Sequence, residues 1–235
     1  MIININKPAG ITSYDVIRIL KKIFISPEKF QLSHKWQKVV DDYHNGKIGH
    51  GGTLDPFASG VLIVATDQDT KKINEIQSMP KQYIAGIKFG YISDTYDIDG
   101  NISPVHIQQS VWTNPKLSLR NIKKNLNSHF TGEILQTPPS FSAKKINGQR
   151  SYQLARAGIS VKLPPKKVII YNIVVNNYSY PDLGLTIECS TGTYIRSIAH
   201  DLGQKLGCGA YCHSLIRSKI GNFTLNNSLT LPTTI

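Results

Sequence analysis

The sequence predicts an α/β protein, and three observations carry that expectation. Runs rich in β-branched and aromatic residues recur over 61–65, 82–89, 166–176 and 183–190, which is how strands read. Apolar residues at helical spacing lie between them, at Val16, Ile19, Leu20 and Ile23 and again at Leu32, Trp36, Val39, Val40 and Tyr43. With 235 residues the chain is long enough to bury a real core. No repeat, low-complexity tract or long linker interrupts it, so 1–235 is expected to form one domain.

In chain order, residues 2–5 read as a short strand and Lys7-Pro8-Ala9-Gly10 as a turn. Thr12 or Ser13 can cap the helix that follows. A second helix is expected over 33–43, within a basic segment, 27–46, carrying Lys29, His34, Lys35, Lys38 and His44 beside Glu28, Asp41 and Asp42. Next comes a glycine-rich loop with one carboxylate, Asp55, at its tip. Gly49, Gly51 and Gly52 admit close approach and unusual backbone angles, while Pro56 biases Asp55 away from helical angles. The apolar run 61–65 then gives the loop a rigid support. A carboxylate so placed suits a structural turn or an active site, and the residues alone leave both open.

Residues 70–77 read as helical, and 82–89 alternate with Tyr83, Ala85, Ile87 and Phe89 on one face. The polar stretch 93–101 holds Asp94, Asp97 and Asp99 but lacks the other ligands of a calcium loop. Ser118 caps a helix bearing Leu119, Ile122 and Leu126, and 132–136 is a strand. Asn147-Gly148 marks a tight hairpin turn, and a short helix over 152–157 ends at Gly158. Lys144, Lys145, Arg150 and Arg156 surround Phe141 and Tyr152. That set suits a nucleic-acid backbone groove with stacking rings or an ordinary basic hairpin. A helix to about Leu206 follows the strand over 183–190.

Lys plus Arg number 27 against 15 Asp plus Glu, a formal charge of +12, which favours a polyanionic partner. No apolar run approaches the roughly 20 residues that span a bilayer, and the N-terminal residues lack the pattern of a signal or transit peptide. Cys189, Cys208 and Cys212 are too few and odd in number for a disulfide framework. Cys208, Cys212 and His213 lack the fourth ligand of a structural zinc site, so no metal is expected.

The stretch Gly49-His50-Gly51-Gly52-Thr53-Leu54-Asp55-Pro56-Phe57-Ala58-Ser59-Gly60-Val61-Leu62, closing on Thr70-Lys71, resembles the catalytic motif of the TruB family of tRNA pseudouridine synthases. Further matches are Asn6-Lys7-Pro8 to Thr12-Ser13, Lys81-x-Tyr83, Pro138-Pro139 to Ser142-Ala143, Cys189-Ser190-x-Gly192-Thr193-Tyr194-Ile195-Arg196, and Leu215-x-Arg217. The resemblance covers about residues 3–223. It implies the pseudouridine synthase fold, a mixed and mostly antiparallel central sheet with flanking helices and an RNA-binding cleft. The doubled Gly51-Gly52 is more like the eukaryotic branch. Segment 27–46 reads as an insertion, and the chain stops at Ile235 without room for the C-terminal PUA domain of many relatives.

The resemblance also implies the activity, isomerisation of uridine 55 in the T loop of tRNA. The reaction breaks the bond from ribose to base nitrogen, turns the base and rejoins it through carbon, so no cofactor is needed. The base must leave its stack. By resemblance Asp55 is the essential catalytic residue, as nucleophile or as base. His50 is the wedge that fills the vacated space, Tyr83 the stacking platform, and Leu215 packs beneath the base. Tyr194 and Arg196 match the third motif, Arg196 orienting Asp55. Lys71 pairs with phosphate or an acidic neighbour. Lys144, Lys145, Arg150, Arg156 and Arg217 are the candidate RNA contacts. The expected partner is tRNA, through its T arm and elbow, with no membrane. The expected state is a cytoplasmic monomer, with a eukaryotic nucleus or mitochondrion left open. Three other readings compete: an RNA-binding or RNA-folding protein on the same scaffold, the RNA-guided branch of the family, and a hydrolase using Asp55 and His50. The first would not need Asp55, and the last lacks a convincing oxyanion loop or metal set.

Overall fold

A computed structural model of the chain describes residues 1–106, 115–142, 144–146, 148–159 and 163–235; the side chains of Lys145, Ile146, Arg150, Tyr152 and Arg156 are outside the described set. The residues group into two compact units, Met1–Gln82 with Ile216–Ile235, and Tyr83–Leu215.

The first unit is organised by two strands of different pattern. β1 (Ile2–Lys7) alternates and buries Ile3, Ile5 and Lys7. β3 (Ser59–Thr66) is buried from Gly60 to Thr66, the pattern of a strand covered on both faces. Successive side chains of a strand point to opposite faces, and the core follows that rule. Leu62 and Val64 join Ile3, Ile5, Val16, Ile17, Leu20 and Ile23 in one cluster. Val61 and Ile63 join Ile76 and Ile220 in another. β1 lies antiparallel to β3 and parallel to β14 (Leu229–Thr230). β2 (Ile48–His50) runs antiparallel along β3, with His50 opposite Val64.

α1 (Ser13–Ile25) starts at a capping box. The Asp15 amide donates to the Thr12 hydroxyl at 3.0 Å, and the Thr12 amide donates to the Asp15 carboxylate at 2.8 Å. Hydrogen bonds from Thr12 and Arg18 hold the Asp15 carboxyl down at about 2. Ile17 completes the buried face, while Ile19 is half-buried. α2 (His34–Asp41) follows a Ser33 cap, and Trp36 is its buried residue. The Trp36 indole donates to the Thr230 carbonyl at 2.7 Å, fastening the basic segment to the edge of the sheet. The helix expected over 70–77 is instead a 3₁₀ turn, Asp67–Lys72, followed by α3 (Ile73–Ser78).

β12 (Ala210–Ile220) was not anticipated as a strand. In the first unit it runs parallel to β3, with Arg217 opposite Gly60, and continues into β13 (Phe223–Thr224). A Cβ at Gly60 would stand 2.3 Å from the Arg217 carbonyl oxygen, and its φ is +108°, so the close pairing needs glycine there. The strand order is β14-β1-β3-β12.

In the second unit the strand order is β12, β4 (Lys81–Phe89), β11 (Asp182–Cys189), β10 (Lys166–Ser179) and β7 (Gly132–Gln136). Tyr83, Ala85, Ile87 and Phe89 are buried, as the alternation requires. β10 is antiparallel to both β11 and β7. α4 (Leu119–His129), capped by Ser118, buries Ile122 and Leu126 and leaves Leu119 exposed. α6 (Ile195–Leu206) ends at Gly207 in the left-handed region, φ +72°. The polar stretch 93–101 is the connection of a hairpin between β5 (Tyr91–Ser93) and β6 (Ile102–Pro104). β8 (Lys145–Ile146) pairs with β9 (Gln149–Arg150), followed by α5 (Ser151–Arg156); Asn147 of the expected turn lies outside the described residues. No helix among the described residues is long and apolar enough to cross a membrane.

Trp36→Ala should lower stability by about 3–5 kcal/mol through cavity formation. Trp36→Phe, which keeps a ring and removes the indole hydrogen bond, should cost about 1 kcal/mol. Urea unfolding of the two variants checks the difference.

Candidate functional site

Asp55 occupies a loop between β2 and β3 whose main-chain carbonyls are engaged from Gly52 to Pro56. Five consecutive carbonyls accept hydrogen bonds: Gly52 and Thr53 from Arg217 at 3.1 and 3.3 Å, Leu54 from Ser13 at 3.1 Å, Asp55 from Ala58 at 3.1 Å, and Pro56 from Gly10 and Lys7 at 2.8 and 3.3 Å. The Ser13 hydroxyl also accepts the Leu54 amide at 2.8 Å. Lys7, fully buried, spends its remaining reach on the carbonyls of Pro8 and Ile11 at 2.8 and 2.7 Å. The Asn6-to-Ser13 stretch is therefore more than a capped strand–turn–helix, because three of its residues hold the loop. The glycines also serve packing rather than looseness. A Cβ at Gly51 would meet the Ile76 side chain at 2.6 Å. Leu54 is buried beneath the loop and Asp55 is half-buried. The result is one carboxylate on a stretch whose five carbonyls, from Gly52 to Pro56, are committed. His50 is half-buried at the end of β2, and Lys71 is exposed on the 3₁₀ turn.

The second unit holds a different polar centre. Arg196, in the first turn of α6 and buried, lies 2.9 Å from the Asp97 carboxylate. It also donates to the carbonyls of Thr95 at 2.8 Å and Phe141 at 2.9 Å. Asp97, buried as well, accepts from the Thr95 hydroxyl at 2.5 Å and from the Asp99 amide at 3.0 Å. Removing two charges from water costs several kcal/mol per ion unless the remaining lone pairs and protons are also satisfied, and these bonds go far toward that. Within its own unit Arg196 is thus paired with Asp97, a carboxylate in the polar stretch 93–101. Gln136 brackets Tyr194, accepting from its amide at 2.7 Å and donating to its carbonyl at 2.9 Å. Tyr96, at φ +65°, stacks on His200 with centroids 3.8 Å apart. Burial lowers the His200 pKa, so its ring favours the neutral form.

Of the residues expected at the site, Tyr83 and Leu215 are buried on β4 and β12, and Tyr194 is half-buried ahead of α6. Lys144 is half-buried and accepts from the Ser151 amide at 2.8 Å through its carbonyl. The side chains of Lys145, Arg150 and Arg156 lie outside the described set. Arg217 requires a correction. It was expected to contact RNA, yet it is 1% exposed, because its guanidinium is drawn inward to the loop carbonyls. Lys7, Ser13, Gln136 and Asp97 were not singled out for these roles. The motif around residues 6–13 was the visible signal for Lys7 and Ser13, and the polar stretch 93–101 that for Asp97. Cys208 and Cys212 are buried free thiols, and His213 stands 3.8 Å from Asp182.

The sequence matches the family model described as TruB family pseudouridylate synthase, N-terminal domain, over residues 40–195. It is 43% identical over 228 residues to a protein named tRNA pseudouridine synthase B from Dehalococcoides mccartyi, across 97% of this chain and 67% of that protein. A protein of the same name from Clostridium acetobutylicum is 43% identical over 231 residues, 98% of this chain and 70% of that one. Both relatives are bacterial, whereas Gly51-Gly52 had leaned toward the eukaryotic branch. A solved structure described as "Structure of H/ACA RNP bound to a substrate RNA containing 2'-deoxyuridine" is similar with a TM-score of 0.63 and 26% identity, over 98% of this chain and 50% of that one. The chain thus spans about two thirds of these relatives and half of that structure's chain.

Ser13→Ala leaves the buried Leu54 amide and carbonyl without their partner, and should lower stability by about 1–3 kcal/mol in denaturant titration. Burial pushes the Cys208 thiol up to about 11, which keeps it protonated and unreactive. A disulfide reagent at pH 8 should leave Cys208 unmodified in the folded protein and modify it promptly once the chain is unfolded.

Proposed function

This chain belongs to the TruB family of pseudouridylate synthases, and we propose that it isomerises uridine to pseudouridine in tRNA, at position 55 of the T loop. The family makes the reaction an isomerisation. The substrate is carried over from the printed name of its relatives. The observation that carries the site is the engagement of all five carbonyls from Gly52 to Pro56. Groups fixed before the substrate arrives avoid reorganisation during the reaction, and the residue so fixed is Asp55. The net charge of +12 suits a phosphate-bearing partner.

In this reading the target uridine is flipped out of the T loop, and His50 fills the space it leaves. Tyr83 stacks on the base and Leu215 supports it from beneath. Asp55 acts ionised, either attacking the nucleoside or removing a proton from the sugar. The bond between C1′ and N1 breaks and the bond between C1′ and C5 forms. C5 loses a proton and N1 gains one, so the product is an isomer and no cofactor takes part. Arg196 orients Asp55, with Asp97 and Tyr194 as neighbours in its unit. Lys71, Lys144, Lys145, Arg150 and Arg156 meet the phosphates of the T arm and elbow, and the basic segment 27–46 adds contacts. The protein acts as a monomer in the cytoplasm.

The test is pseudouridine formation in an unmodified T-arm stem-loop, with wild type and Asp55→Asn compared at equal RNA occupancy. Product from wild type alone is expected. Product from both would remove Asp55 from the chemistry. Tight binding with product from neither would favour an RNA-binding or RNA-folding protein instead.

A further inference from the structure

We infer that Arg217 is a positioning residue, a clamp that closes the Asp55 loop at its base and fixes the carboxylate through the main chain. The inference rests on the reading of Asp55 as the reacting group.

The geometry is that of a fork gripping both arms of a loop. Nε donates to the Val61 carbonyl at 2.8 Å, on the arm after Asp55. Nη1 and Nη2 donate to Thr53 and Gly52 at 3.3 and 3.1 Å, on the arm before it. The main chain of the same residue is paired with Gly60, whose missing Cβ makes room for it. One residue therefore touches the loop at 52, 53, 60 and 61, with Asp55 between. Lysine offers a point charge on a flexible stem and lacks this planar arrangement of donors.

The electrostatics argue that the charge is kept for this purpose. Arg217 is 1% exposed and heads the fully buried side chains by volume. Every hydrogen bond described for it goes to a main-chain carbonyl, and no carboxylate pairs with it among the described residues. Arg196, by contrast, has Asp97. A buried guanidinium without a counter-charge carries a desolvation cost that an apolar side chain of similar volume avoids. Packing alone therefore does not account for arginine here, whereas three carbonyls at fixed positions do. Its burial also removes it from the phosphates of an RNA.

The test uses the full chain with Arg217→Lys and Arg217→Ala, read in two independent ways. Hydrogen exchange should rise by about tenfold or more in residues 50–61 while the rest of the chain stays near wild type. The single-turnover rate on saturating T-arm RNA should fall by about tenfold to a hundredfold, because small misplacements of a reacting group are costly, while the RNA Kd stays within about twofold. Guanidinium ion added to Arg217→Ala should restore part of the rate. Exchange and rate both at wild-type levels would overturn the inference. So would exchange rising throughout, or loss of fold in both variants, which would make Arg217 a core residue only. A weaker Kd with an unchanged saturating rate would return it to RNA contact. If the wild type makes no product, the proposed function fails, and the exchange measurement still decides whether the clamp exists.

Discussion

The structure of the first unit depends on satisfying the carbonyls of the Asp55 loop. A loop that turns sharply exposes main-chain oxygens that helix or sheet would otherwise pair, and a buried one must find donors elsewhere. Here they come from two distant stretches, Lys7, Gly10 and Ser13 at the start of the chain and Arg217 near its end, and from Ala58 within the loop. The N-terminal strand, the first helix and the last long strand therefore share one constraint beyond apolar packing. Two of the donors, Lys7 and Arg217, are the largest fully buried polar side chains among the described residues. Their desolvation is tolerable because each meets several carbonyl dipoles at once.

The second unit meets a similar demand with opposite means. Arg196 is buried against a carboxylate, and Asp97 is in turn tied to Thr95 and Asp99. An ion pair of this kind fixes two elements, the β5–β6 connection and the start of α6, in one register. Gln136 does the same for Tyr194 with a neutral amide that donates and accepts together. Asp55 in the first unit is thus borne on engaged carbonyls, and Arg196 of α6 is held by an engaged aspartate.

Much of this was legible in the sequence. β3, β4, β10 and β11 stood out because continuous apolar runs and strict alternation are local patterns, α1 because a cap precedes its apolar spacing, and α2 by spacing alone. The short helix over 70–77 was half right, since the Asp67–Lys72 part winds as a 3₁₀ turn. β12 went unseen because Cys212, His213, Ser214, Arg217, Ser218 and Lys219 break any apolar rhythm. What makes it a strand is its place beside β3 and β4, which is a tertiary fact. The Asp55 loop was visible through its spacing, but its donors were not. Lys7 reads as part of a turn and Arg217 as an RNA contact, and only the positions of far-off carbonyls turn both inward.

The direction in which those carbonyls face has an electrostatic consequence. Each carbonyl oxygen carries partial negative charge, and a turn that shows several of them to solvent repels anions. From Gly52 to Pro56 they are directed toward donors of the protein itself, with two buried cations behind them. The outward side of the loop is thereby relieved of most of its own negative field. A polyanion can come close to a surface that bears a carboxylate without meeting a ring of oxygen dipoles around it.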